Sequence, residues 1–185
     1  MRFHLIVVLV IMMLAEIGPS LAAHESGKVG PYVVSFDMNT TSQYKVIVDP
    51  PTNGTTSDGA KFTRYYLSVD GDDGYASIIL TGYEKNMSAS TDANKDIVTS
   101  ALTALGGTDS KVYPSTVGVD GHQAVLGSCK YPTGEQIFIA SYSPDAVPFN
   151  GTYIGKTDCR FVSTYSWDVT RDMLGTLHVR APKFM

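Results

Sequence analysis

Three histidines, two cysteines, an acidic turn and an abundance of tyrosine hold most of the chemistry that this 185-residue chain offers beyond its first twenty residues. His24, His122 and His178 lie too far apart for H-x-x-x-H or H-E-x-x-H, the spacing with which one helix presents two imidazoles to zinc. His24 has a sharper reading. Cleavage after Ala23 would place its α-amine beside its imidazole, a nitrogen-rich set that suits copper(II), with His122 or His178 as the further ligand. Cleavage after Ala22 abolishes that site. His122 beside a turn and His178 at a helix C-terminus, where positive charge is favoured, also have purely structural readings.

Hydrolytic chemistry finds little support. Gly127-Ser128-Cys129 is not the G-x-S-x-G of a nucleophile elbow. Asp120, His122 and Ser128 are close in sequence, but an extended strand would hold His122 and Ser128 ~20 Å apart. The turn Asp70-Gly71-Asp72-Asp73-Gly74 begins like a calcium loop, yet its twelfth position is Thr81 rather than Glu, so it reads as a solvated hairpin turn. No phosphate-binding loop or dinucleotide fingerprint occurs, and no cofactor is expected. Cys129 and Cys159 sit in or beside strand-like segments and are expected to pair across a sheet, which would stabilise the fold by ~3 kcal/mol; the alternative is two separate buried thiols. The 11 tyrosines read first as strand residues, and second as a face for carbohydrate or peptide.

The chain's first residues read as an address. A short basic start, Met1 to His4, precedes the apolar run Leu5 to Ala15, then Glu16, Gly18 and Pro19, then small residues from Ser20 to Ala23. This is the layout of a secretory signal peptide spanning 1–22, cleaved after Ala22 or Ala23. The apolar run is about half the ~20 residues that a membrane span needs. The mature protein is therefore expected to be secreted or extracytoplasmic, with no membrane association. Four N-x-[ST] sequons, at Asn39, Asn53, Asn86 and Asn150, fall in polar stretches and are the expected glycosylation acceptors if the host modifies exported proteins.

Composition excludes some partners. Net charge is −4, and charged residues make up 17% of the chain, well under a usual ~25%. Such a surface does not attract nucleic acid electrostatically.

These residues must be positioned by a single domain, expected over 29–181. Pro31 to Met38 and Tyr44 to Asp49 read as a hairpin across Asn39 to Ser42, followed by a polar loop from Pro50 to Gly59. Lys61 to Asp70 and Tyr75 to Tyr83 form a second pair around the acidic turn. From Asp92 to Leu105, Ile97, Val98, Ala101, Leu102 and Leu105 make one apolar stripe, with Thr91 or Asp92 as cap and Gly106-Gly107 as stop. Three antiparallel strands follow at Lys111 to Val119, His122 to Lys130 and Glu135 to Tyr142. A last strand spans Cys159 to Tyr165, and a helix capped by Ser166 spans Trp167 to His178, burying Trp167, Thr170, Leu174 and Leu177. The fold class is α+β: a mainly antiparallel sheet carrying a central and a C-terminal helix.

From Val119 to Val179 the elements run Asp120-Gly121-His122-Gln123-Ala124 into a strand, then Ile137-Phe138-Ile139-Ala140-Ser141-Tyr142, Phe161 to Thr164, Trp167-Asp168-Val169-Thr170 and Leu177-His178-Val179. In this segment the chain resembles small exported proteins of unknown function from methanogenic archaea, whose layout is similar to the PsbP-like α/β/α sandwich. Elsewhere the likeness is one of element order. PsbP-like domains are mostly noncatalytic accessory or binding modules, so the resemblance implies a fold and a binding role, with no site residues. An archaeal source would also make the sequons usable. The expected function is thus an exported noncatalytic binding or interaction domain for an envelope or extracellular ligand. The alternative is a secreted hydrolase or a copper enzyme using His24.

Overall fold

A computed structural model describes residues 22–84, 90–114, 116–145, 148–149, 152–153 and 156–181. The leader and the sequon residues Asn86 and Asn150 lie outside these. The elements run β1 (Ala23–Val29), β2 (Tyr32–Met38), β3 (Tyr44–Thr55), β4 (Lys61–Gly71), β5 (Gly74–Tyr83), α1 (Thr91–Leu105), β6 (Thr108–Val112), β7 (Val117–Val119), β8 (His122–Lys130), β9 (Gln136–Tyr142), β10 (Pro148–Phe149), β11 (Thr152–Tyr153), β12 (Lys156–Ser163), α2 (Trp167–Thr176) and β13 (His178–Arg180).

Antiparallel pairing links β3-β4-β5-β12-β9-β8-β6 into one large sheet, and β7 also pairs with β8. A small sheet, β1-β2-β13, stacks on one side of it. The protein is α+β, mostly antiparallel sheet with two helices, as its patterning implies. The helices follow their local signals. Ser90 caps α1, one residue before the two expected caps, and its hydroxyl accepts from the Ala93 N–H. Gly106 ends the helix in the left-handed region at φ 62°, where a side chain would be strained. Ser166 caps α2 as expected.

Two cores result from the pleat. β2 alternates strictly, sending Tyr32, Val34, Phe36 and Met38 toward the large sheet. They meet Tyr65, Leu67, Ile78, Leu80, Tyr142 and Phe161, and α2 adds Met173 and Leu174. On the opposite side α1 lays Val98 and Leu102 on Val125, Ile137 and Ile139.

Several expectations change. β2 does not form a hairpin with β3: it pairs with β1 and β13, while β3 pairs with β4. The turn that matters is Gly30-Pro31, which joins Val29 to Tyr32 across β1 and β2. Gly30 sits at φ 61° with the Tyr65 ring where a Cβ would be. Residues 39–43 instead carry the chain from one sheet to the other, a step that a short polar linker does not distinguish from a hairpin. β1 begins ahead of the expected domain start, and β3 continues through the expected loop to Thr55. α2 stops at Thr176, so His178 belongs to β13 rather than to a helix end.

The expected disulfide is also absent. Cys129 and Cys159 are free, buried thiols in different cores. Cys129 is opposite Ile137 and Cys159 is opposite Tyr142, five positions further along β9. That offset is ~16 Å along the strand. The two side chains also leave opposite faces, and a disulfide needs Cα atoms within about 7 Å.

Candidate functional site

The edge strand that borders β8 is interrupted around Pro114 into β6 and β7, and the pairing after it is in a shifted register. Tyr113 stands at the break, its N–H still donating to the Leu126 carbonyl (2.9 Å) and its hydroxyl 3.1 Å from Ser128 Oγ. Val117 resumes pairing opposite Ala124. On the same face β8 and β9 present Leu126 and Phe138. The first residue of α2, Trp167, leans over Phe138 with ring centroids 5.1 Å apart.

The result is a groove of about 390 Å³ lined by Tyr113, Val117, Leu126, Phe138 and Trp167. Leu126 and Phe138 are buried at its base, while Tyr113 and Trp167 are each 40% exposed at its rim. The volume lies within the range of small-ligand sites. Aromatic rings of this kind offer apolar area together with a polar edge, a combination that suits the face of a sugar ring or an apolar peptide side chain. The expected burial of Trp167 is therefore corrected: Thr170, Met173 and Leu174 anchor α2, and Trp167 stays half in solvent.

The sequence-derived candidates are distributed elsewhere. His24 is exposed on β1, with Nδ1 2.8 Å from Asp37 Oδ1. His122 stacks on Tyr142, with Nε2 4.0 Å from Asp145 Oδ1. His178 Nδ1 lies 2.8 Å from Asp120 Oδ1, while Asp120 Oδ2 accepts from the Val179 N–H. Each imidazole is thus committed to a different neighbour. Among the described residues no three His, Cys, Asp or Glu side chains gather as metal ligands. Nor does a triad form around Asp120, His122 and Ser128, because Asp120 holds β13 and Ser128 faces Tyr113. Ser143 shares a shallow polar depression with His122, but its hydroxyl donates to Asp158 at 3.1 Å.

The acidic turn is a hairpin turn joining β4 and β5. Lys45 Nζ sits 3.1 Å from Asp70, and the Thr40 hydroxyl donates to Asp73 at 2.8 Å. Asn39 and Asn53 are exposed; Asn39 Nδ2 donates to Asp172, and Asn53 Oδ1 accepts from Thr63.

The tyrosines divide by role. Tyr32, Tyr142 and Tyr165 are fully buried, and burial pushes the Tyr32 and Tyr165 phenols up to about 12. The Tyr142 phenol rises further for the same reason, beside Cys159, whose thiol burial raises to about 12. Tyr75, Tyr113 and Tyr131 are exposed instead. Sequence pattern alone did not separate Tyr113 from the structural tyrosines. Pro114 immediately after it was the available signal.

Compared with family models, curated proteins and solved structures, the chain matches none. No helix among the described residues is long and apolar enough to cross a membrane.

Proposed function

We propose that this protein is an exported, noncatalytic binding domain that takes a ring-bearing extracellular ligand, a neutral saccharide or an apolar peptide side chain, in the groove between Tyr113 and Trp167. One observation carries the reading: a rim of exposed aromatic rings over a buried apolar base, at the break in the β8 border. Single exposed rings are ordinary, but rings gathered over a concave apolar base mark a place for recognition. The expected leader, the resemblance to small exported proteins with a PsbP-like layout and the exposed sequons Asn39 and Asn53 support that location.

Trp167 is the chain's single tryptophan, which makes the site self-reporting. Titration with neutral oligosaccharides and with aromatic peptides is expected to shift Trp167 emission saturably, with the ligand recovered unchanged. Tyr113→Ala should weaken that binding by about tenfold, a typical loss for an aromatic anchor. Emission that no such ligand alters would sink the proposal, and turnover of the ligand would favour the hydrolase alternative. N-terminal sequencing of the secreted protein tests the leader; a mature chain starting at Ala23 eliminates a copper site built on a terminal His24.

A further inference from the structure

A second surface lies on the opposite side of the large sheet. α1 covers β8 and β9 and reaches β6, and no described helix continues over β4, β5 and β12. There the register places Phe62, Arg64 and Tyr66 on β4 on the same face as Tyr83 on β5 and Arg160 on β12. Arg64 is exposed, with its guanidinium carbon 4.6 Å above the Phe62 ring, and Phe62 lies 6.1 Å from Tyr83. Arg160 is half-buried, and its Nε is buried without a hydrogen-bond partner. Burial lowers the Arg160 pKa, and the nearby Arg64 charge lowers it further.

Charge balance here is incomplete. Asp158, nearest to Arg64 in register, is 3.0 Å from Lys156 and accepts from Ser143. Asp70 is paired with Lys45. Among the described residues neither Arg64 nor Arg160 makes an ion pair, and Asp49, across from Tyr66 at the sheet edge, joins neither. Two guanidiniums on one face whose nearest carboxylate is already engaged repel each other, and an anion from outside relieves that repulsion. Guanidinium forks fit carboxylate and sulfate oxygens, and the flanking rings give sugar faces a place to stack.

We infer that this face binds an acidic polysaccharide, with Arg64 and Arg160 on its carboxylate or sulfate groups and Phe62, Tyr66 and Tyr83 against its rings. A sugar polymer fits better than a nucleic acid. The protein's net charge of −4 opposes a duplex nucleic acid, with one charge per about 1.7 Å of axis, more than a uronic chain with one carboxylate per sugar. The Tyr66 hydroxyl, 2.8 Å from Thr52 Oγ1, adds a polar edge suited to sugar hydroxyls. This surface is separate from the Trp167 groove and does not depend on it.

Affinity electrophoresis of the purified protein through gels containing polygalacturonate, dextran or single-stranded DNA tests the inference. Polygalacturonate should retard the wild type, more at low than at high salt, and dextran should not. Arg64→Gln, at an exposed position, should reduce retardation, and R64Q/R160Q should lower affinity by about tenfold or more as charge-assisted hydrogen bonds are lost. Trp167→Ala should leave this retardation unchanged, which keeps the result distinct from that of the groove. No retardation by polygalacturonate, equal retardation by dextran, or wild-type affinity in R64Q, a variant whose melting curve checks its folding, would each overturn the inference. Tighter arginine-dependent binding of DNA would overturn it in favour of a nucleic-acid surface.

Discussion

The two sides of the large sheet are closed by different means. One side is covered by a second sheet and α2, and its core is large and rich in tyrosine. On the other, the described residues place a single helix over β6, β8 and β9, on a small aliphatic cluster that Val162 of β12 also joins. The helix can approach closely because Gly127 offers no Cβ; one would meet Val98, Leu102 and the Lys111 carbonyl. Beyond the helix the same face carries arginine and aromatic residues. A sheet face is thus dry or wet according to its local residues, and helix coverage follows that composition.

The largest effect should emerge at high pH, to which the other side also contributes through Tyr83, whose phenol burial raises to about 12. The Tyr32 and Tyr165 phenols and the Cys159 thiol lie on the small-sheet side, and burial raises each to about 12 from ordinary values of 10, 10 and 9. A group whose folded pKa is raised stabilises fully below its unfolded pKa, and that contribution is lost as pH rises toward the folded value. Stability to guanidinium should therefore hold until about pH 9 and fall steeply between about pH 9 and 12. Tyr142→Phe should flatten that fall while costing little at neutral pH, because the Tyr142 hydroxyl has no hydrogen-bond partner. An alkaline limb unchanged by Y142F would break this side of the comparison.

Next comes a matched pair on the other side. Ile139 is fully buried under α1, and Ile79, half-buried, lies on the same face beyond the reach of that helix. Ile139→Ala should cost about 2–5 kcal/mol, and Ile79→Ala less than about 1 kcal/mol, by denaturant melts. Similar costs at the two sites would mean that the open half is covered in solution. A smaller effect is expected of Gly127→Ala, about 1–3 kcal/mol as α1 is pushed outward. Amide exchange should rise in α1 and stay unchanged in β2 and β13.

Local signals were readable wherever one segment carried the whole message. The α1 stripe, its glycine stop, the Ser166 cap, the acidic hairpin turn and the β8–β9 turn all rest on neighbours in sequence. The pairing of β2 was not readable, because the polar linker 39–43 serves equally for a hairpin or for a crossing between sheets. β1 escaped notice because Ala23–Val29 alternates weakly and contains Gly27 and Lys28. Of the candidate site residues, the histidines turned out to be held by separate carboxylates and a ring, whereas the groove draws on Tyr113 just past β6 and on β7, β8, β9 and α2 at once.

The sequence by itself determined the α+β class and the placement of the two helices, since hydrophobic period and capping chemistry act within a few residues. It also supplied both cysteines without their relation. Only the tertiary structure decided that Cys129 and Cys159 face opposite cores, that Tyr113 meets Trp167 across a groove, and that Arg64 and Arg160 share a face with no ion pair among the described residues. Strand order and register set those relations, and pairing across the sheet depends on which faces bury together rather than on any local motif.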